Sequence, residues 1–291
     1  CGLRTGRWAF VGRSMLAGTV AFAFRAFRWR RLMLPIEPEA DRLTVFNAVN
    51  IGNISNFIFQ YLGEFVRTGI VMQRTRGKEE EKPRYDRLLG TVVLERGWDV
   101  ISLLILFTVL LILKWSEFGT FFRVEIWERF TGRFSISAWW MMAGVLILVA
   151  GGAAAVWLLR HRVGLFGRIC AALRGLFDGI GSCLRMERKW LFFIYTAVVW
   201  SCYWLMMVFM AEAFPVTAGA GLNLTDALFL MLVGSIASFI PVPGGFGAYH
   251  FLVSAALAFL YGFGKADGMV FATLAHESQA VNMAFWGLRS Y

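Results

Sequence analysis

The chain has 291 residues, 58% of them hydrophobic, and a formal net charge of +10. That apolar share exceeds the roughly 45–50% of soluble domains and excludes an ordinary soluble globule. The positive charge then reads as the basic bias of cytoplasmic loops between membrane spans, not as a nucleic-acid surface. The expected class is all-α: a polytopic transmembrane helix bundle forming one membrane domain over residues 1–291.

In chain order, residues 8–27 form a candidate span with Arg13 and Arg25 near its ends, followed by Arg28, Arg30 and Arg31. Residues 43–72 are apolar but interrupted by Gly52 and Gly63. Residues 88–115, 137–159, 190–214 and 268–288 each reach the roughly 20 apolar residues that a crossing needs. Residues 224–263 would do so twice over, but Pro241-Val-Pro-Gly-Gly-Phe-Gly247 breaks them: proline removes backbone donors and glycine admits conformations other residues avoid. The basic loops after the first span, between Met72 and Leu88, and over 160–189 are predicted to be cytoplasmic; 115–137 and 214–223 are predicted to be external. Residues 161–189 read as a basic amphipathic segment on an anionic inner leaflet. Glu79-Glu80-Glu81 reads as a solvated loop. Cys1, Cys170, Cys183 and Cys202 have neither metal-ligand spacing nor the pattern of a disulfide framework. The missing initiator Met before Cys1 fits a piece of a longer chain.

Basic sequence flanks 43–72 on both sides, so a hairpin that enters and leaves from the cytoplasmic face satisfies the charge map; an ordinary tilted span with polar packing contacts is the other reading. Asn47, Asn50, Asn53 and Asn56 recur every three residues and are expected to face protein or water rather than lipid. Residues 224–263 suit a second hairpin from the external side, with a helix start at Thr225-Asp226. Two re-entrant hairpins from opposite faces would make an inverted repeat, with a binding site where the broken segments meet.

Charges inside apolar sequence supply the chemistry. Glu64 and Arg67 are three apart and share a helix face; Glu95 and Asp99 are one turn apart with Arg96 beside them. Unpaired charges in a bilayer cost a few kcal/mol or more each, so these five are expected to face inward and compensate one another. They suit either a polar cavity in which Arg67 and Arg96 hold phosphate, or an ion-pair network that locks helices together. His276, Gln279 and Asn282, with Glu277 adjacent, form a polar stripe on the last helix that suits a cavity wall or interhelical hydrogen bonds.

Gly63-Glu64-x-x-Arg67, Glu95-Arg96-x-x-Asp99 and Pro243-Gly244-Gly245-x-Gly247, in this order, together with Arg28-Trp29, resemble the lysylphosphatidylglycerol synthase transmembrane-region family of flippase-like domain proteins. The resemblance covers nearly the whole chain and implies a further helix before it. Two positions depart from the family pattern: Gln60-Tyr61-Leu62 precedes Gly63 in place of a Pro-Arg-like pair, and His250 follows the glycine turn where many members carry Glu. At His250, a proton relay and a neutral hydrogen-bonded helix-start residue are both open.

The resemblance implies a multi-pass flippase-like transporter in a bacterial inner membrane, handling an anionic or aminoacylated phospholipid or a lipid-linked intermediate. In such families a separate soluble domain performs aminoacyl transfer; the longest hydrophilic segment here, 161–189, leaves no room for one. The expected substrate-binding residues are Glu64, Arg67, Glu95, Arg96, Asp99, Gly244, Gly245, Gly247, His250 and His276. No catalytic residue, metal site or cofactor is expected, since no Walker loop, metal-ligand spacing or Ser-His-Asp arrangement appears. An intramembrane enzyme using the same carboxylates on a lipid-linked sugar or phosphate, and a noncatalytic subunit of a lipid-synthesis complex, are the alternatives. The expected partners are the lipid and the membrane, with a lipid-synthesis enzyme or further copies of the chain as protein partners.

Overall fold

A computed structural model describes residues 7–74, 85–128, 147, 186–240 and 242–291. The expected span over 137–159, the glutamate run 79–81, Pro241 and nearly all of the amphipathic segment 161–189 lie outside the described residues. Among the described residues there are ten α-helices and no strand. They are α1 (Trp8–Met33), α2 (Arg42–Ile58), α3 (Leu62–Arg74), α4 (Tyr85–Leu113), α5 (Trp115–Phe121), α6 (Lys189–Ala213), α7 (Pro215–Gly219), α8 (Leu224–Ala237), α9 (Ala248–Tyr261) and α10 (Lys265–Arg289). A π-helical turn, Phe122–Glu128, extends α5, and a 3₁₀ turn, Pro243–Gly245, precedes α9. Three segments are long and apolar enough to cross a membrane: Tyr85–Leu113, Lys189–Ala213 and Pro243–Tyr261, the last only when its glycine turn is included. The protein is a multi-pass membrane protein. At 26 and 25 residues, α1 and α10 have the length but are more polar.

Two stretches expected to be loops are helical. The first helix does not end at Phe27; it runs through Arg28, Arg30 and Arg31 to Met33. The reason is burial: Arg28 and Trp29 are fully enclosed, so these turns have partners that the charge pattern did not show. Arg30 and Arg31 sit in the last turn, where cations complement the helix dipole. Likewise, the stretch beginning at Trp115 forms α5, because Phe118 and Phe121 are apolar anchors with no exposed surface. Phe118 stacks on Phe229 of α8 at a ring separation of 4.3 Å.

Residues 43–72 form a helical hairpin. Its arms, α2 and α3, have 17 and 13 residues, about 25 and 20 Å at 1.5 Å per residue, and neither alone matches a hydrocarbon core of about 30 Å. Asp41 caps α2 by accepting from the Leu43 and Thr44 amides at 3.0 and 3.1 Å. The chain reverses at Tyr61, which adopts φ 66°. The Gly63 amide donates to Asn56 Oδ1 at 2.7 Å, and Gly63 lies directly against the Gly52 carbonyl, so the two backbones touch.

Residues 224–261 form a second pair, α8 and α9, of 14 residues each. Asn223 caps α8 in a reciprocal capping box with Asp226, which starts the helix one residue before the expected Thr225. Between the arms, Gly244, Gly245 and Gly247 have φ of 61°, 70° and 87°, a left-handed path that explains the glycines. The two tips meet. Gln60 Nε2 donates to the Ser238 carbonyl at 2.8 Å, and the Phe57 ring lies 3.0 Å from where a Cβ on Gly244 would stand. Each hairpin has its own apolar core. One gathers Trp29, Met33, Val45, Val49 and Leu88; the other gathers Phe118, Phe229, Leu232, Val253 and Phe271.

The glycines separate into contacts and spacers. Any side chain at Gly63 must push against the Gly52 backbone, whereas Gly97 on α4 has nothing within 4 Å. Gly63→Ala is expected to cost about 1–3 kcal/mol through overpacking. Gly97→Ala should be neutral, or stabilising by up to about 1 kcal/mol through helix propensity. Thermal unfolding of the two variants in detergent checks the contrast.

Candidate functional site

The five charges singled out in the sequence come together, and two more join them. On α4, Glu95 is fully buried. Its Oε1 accepts from Arg28 Nη2 of α1 at 2.8 Å and lies 3.5 Å from Arg25 Nε, while its Oε2 is 2.8 Å from Arg67 Nη1 of α3. Arg28 also reaches Asp99 at 2.7 Å with its other terminal nitrogen, so one guanidinium bridges two carboxylates a helical turn apart. Arg67 pairs with Glu64 at 2.6 Å, as the three-residue spacing predicts. Arg96 contacts Glu64 and stands 3.9 Å from Asp99. Four guanidinium groups thus face three carboxylates, an excess of one positive charge.

Trp29 supports the cluster. Its Nε1 donates to Thr91 Oγ1 at 3.0 Å, and its ring carries the Arg67 guanidinium at 4.5 Å. The arginines differ in access. Arg28 and Arg67 are enclosed, with side-chain exposures of 0% and 3%, whereas that of Arg96 is 40%.

Arg96, Arg25 and Asp99 line a cavity of about 520 Å³. Asn53, Asn56 and Gln60 from the first hairpin continue its polar wall. Met206, Met207 and Met210 of α6, Met231 of α8 and Met283 of α10 also line it, with Phe22, Leu103 and Phe239. Gly244, Gly245, Tyr249, His276 and Gln279 are lining residues too, so the cavity lies where the two hairpin tips meet.

The other expected site residues divide. Glu64, Arg67 and Glu95 belong to the charge cluster but not to the cavity wall, and Gly247, the last glycine of the turn, and His250 of α9 are not among the lining residues either. Gly247 begins α9, and its amide makes a long 3.4 Å contact with His250 Nδ1. His276 Nε2 is 2.7 Å from the Gly244 carbonyl, tying α10 to the turn. The polar stripe of α10 serves both roles anticipated for it: His276 and Gln279 face the cavity, while Asn282 binds α1 through Thr19 Oγ1 at 3.1 Å and the Met15 carbonyl at 2.9 Å. The asparagines of α2 also divide, because a step of three residues rotates about 60° off register. Asn50 is buried, Asn53 and Asn56 line the cavity, and Asn47 is only half-buried.

Sequence reasoning did not place Arg25 and Arg28 in the site. Read as residues at or beyond the end of a span, they carried no signal except the Arg28-Trp29 resemblance. Their three-residue spacing on a continuing helix is the clue that was present. Because Arg28 and its partner Glu95 are fully buried, Arg28→Ala should destabilise the protein by about 3–5 kcal/mol, the cost of leaving buried charge uncompensated. Arg28→Lys should recover only part of this, since one ammonium cannot reproduce the two-carboxylate fork. Thermal unfolding in detergent measures both.

The family profile described as lysylphosphatidylglycerol synthase TM region matches residues 2–287. Comparisons with curated proteins and with solved structures give no match. The matched stretch contains the hairpins, the glycine turn and every member of the charge cluster, and the chain belongs to the lysylphosphatidylglycerol synthase transmembrane-region family.

Proposed function

We propose that the protein is a flippase-like lipid transporter of the bacterial inner membrane, acting on an anionic or aminoacylated phospholipid or a lipid-linked intermediate, with residues 1–291 working as one membrane domain. The observation that carries this reading is the mixed lining of the cavity. It offers guanidinium and amide groups, with one excess positive charge nearby, together with thioethers and aromatic rings. An amphipathic anion suits such a site: the head group meets Arg96 and Arg25 while apolar chain meets the methionines, whose flexible side chains repack around irregular shapes. Arg67, expected from the sequence to hold phosphate, is assigned here to positioning Glu64 and Glu95, because it is enclosed and already pairs with both.

The hairpins are read as re-entrant, entering from opposite faces in an inverted repeat. Three facts support this: arms shorter than a bilayer, tips in mutual contact, and a cavity at the junction. In a membrane, the irregular backbone at 242–247 is tolerable when protein or a water-filled cavity surrounds it, as it does when it lines this cavity.

The test is reconstitution with phospholipids labelled on the head group. A transporter moves label between leaflets and leaves its covalent structure intact; an enzyme changes the structure, seen by chromatography. Arg96→Ala should reduce leaflet exchange to the protein-free background while eluting from a sizing column like the wild type, because Arg96 is the most exposed arginine of the cluster. Full exchange in that variant would remove Arg96 from the site, and altered lipid would replace transport with catalysis.

A further inference from the structure

We propose that His250, His276 and Glu277 form a binding site for a divalent transition-metal ion, with Zn²⁺ the best fit to the ligand set. One ligand atom from each residue lies within 4.8 Å of the others. Sequence spacing hid the group, because His250 sits at the start of α9 and the other two in the middle of α10. The fold brings them together behind the glycine turn, with the two imidazole rings 5.0 Å apart. This inference does not depend on the transport reading.

The proton bookkeeping favours a cation here. His276 Nε2 is 2.7 Å from the Gly244 carbonyl, which can only accept, so Nε2 carries the hydrogen. In neutral His276 that leaves Nδ1 with a lone pair, and Nδ1 faces Glu277 Oε1 at 3.2 Å. Two acceptors cannot bond to each other, so either a proton or a metal ion holds this contact. The second observation is on the opposite side: His250 Nε2 is buried and has no hydrogen-bond partner, on a residue only 6% exposed. Leaving a buried polar atom unpaired costs about 1–3 kcal/mol. One ion bound by one nitrogen of each histidine and by Glu277 would answer these groups together. Ligation through His250 Nε2 would place its proton on Nδ1 and displace the long 3.4 Å contact from the Gly247 amide.

The surroundings match a metal site. The Gly244 carbonyl fixes the tautomer and orientation of His276, the usual outer-shell arrangement for a ligating histidine. Phe246 and Tyr249 enclose the rings with apolar surface. Two imidazoles and a carboxylate suit Zn²⁺ with a fourth position left for water or an anionic oxygen; Mg²⁺ and Ca²⁺ prefer all-oxygen shells. His276 also lines the cavity, so an ion here would add positive charge to the cavity wall on the side of the second hairpin.

The experiment uses tag-free protein in detergent, stripped with a chelator and titrated separately with Co²⁺ and Zn²⁺. The expected result is one equivalent of Co²⁺ with a tetrahedral d–d spectrum lacking thiolate charge transfer, displaced by Zn²⁺. Glu277→Gln and His250→Gln should each weaken binding at least tenfold while eluting as the wild type does. Glu277 is 42% exposed, so its variant is the one least prone to a folding defect. Absence of stoichiometric binding, a thiolate spectrum, or unchanged affinity in both variants overturns the proposal. In the first case a proton on His276 Nδ1 fills the gap instead.

Discussion

Much of this fold is organised around the obligation to neutralise Glu95. A carboxylate fully buried on an apolar helix is tolerable only with a counter-charge held in good geometry. Three guanidinium groups answer it, two from α1 and one from α3. Each answer fixes a helix. Arg28 sets the register of α1 on α4 by bridging Glu95 and Asp99, so that sliding either helix by a turn would break one of the two bonds. Arg67 draws α3 against α4 and is held over the Trp29 ring, which in turn bonds Thr91. The position of the first hairpin is therefore an electrostatic consequence as well as a packing one. Gly52 and Gly63 allow α2 to follow α3 closely enough for Asn56 to reach both the Gly63 amide and Glu64.

The second hairpin is built on different physics. Its core is phenylalanine, leucine and methionine, stacked through Phe118 and Phe229, and its turn depends on three left-handed glycines rather than on charge. A polar, ion-paired half and an apolar half meet at the tips, through Gln60, Phe57 and Gly244. The cavity lies at that junction, with polar lining from Arg25, Arg96 and Asp99 and methionines chiefly from α6. The same boundary explains the separate duties of α10, which binds α1 through Asn282 and supports the glycine turn through His276.

What the sequence revealed follows from how locally each feature is encoded. Glu64 with Arg67 and the glycine turn are set by neighbours within a few residues, and both were readable; the start of α8 was placed one residue late because its cap is Asn223. The hairpin over 43–72 was readable because basic residues flank both ends. Arg25 and Arg28 were not, since an arginine near the end of an apolar run looks the same whether it meets headgroups or a buried glutamate sixty-seven positions later. α5 was missed for a related reason: 115–137 reads as an external loop, and only the distant Phe229 makes Phe118 an anchor. The His250–His276 pairing joins residues on two helices whose packing no periodicity encodes.

Magnitudes separate the arginines that hold the fold from those able to exchange partners. Removing one member of a fully buried pair costs about 3–5 kcal/mol, more than a single head-group contact returns, so Arg28 and Arg67 stay with their carboxylates. An exposed pair is worth about 0–1 kcal/mol. Arg96, with 40% of its side chain open, lies nearer that limit, and a phosphate oxygen can compete for it at little cost. The cluster thus combines two properties usually opposed: a rigid ion-pair frame and, at its edge, a guanidinium free enough to change partners. With three carboxylates for four arginines, an anion bound as proposed would bring the cluster to charge balance.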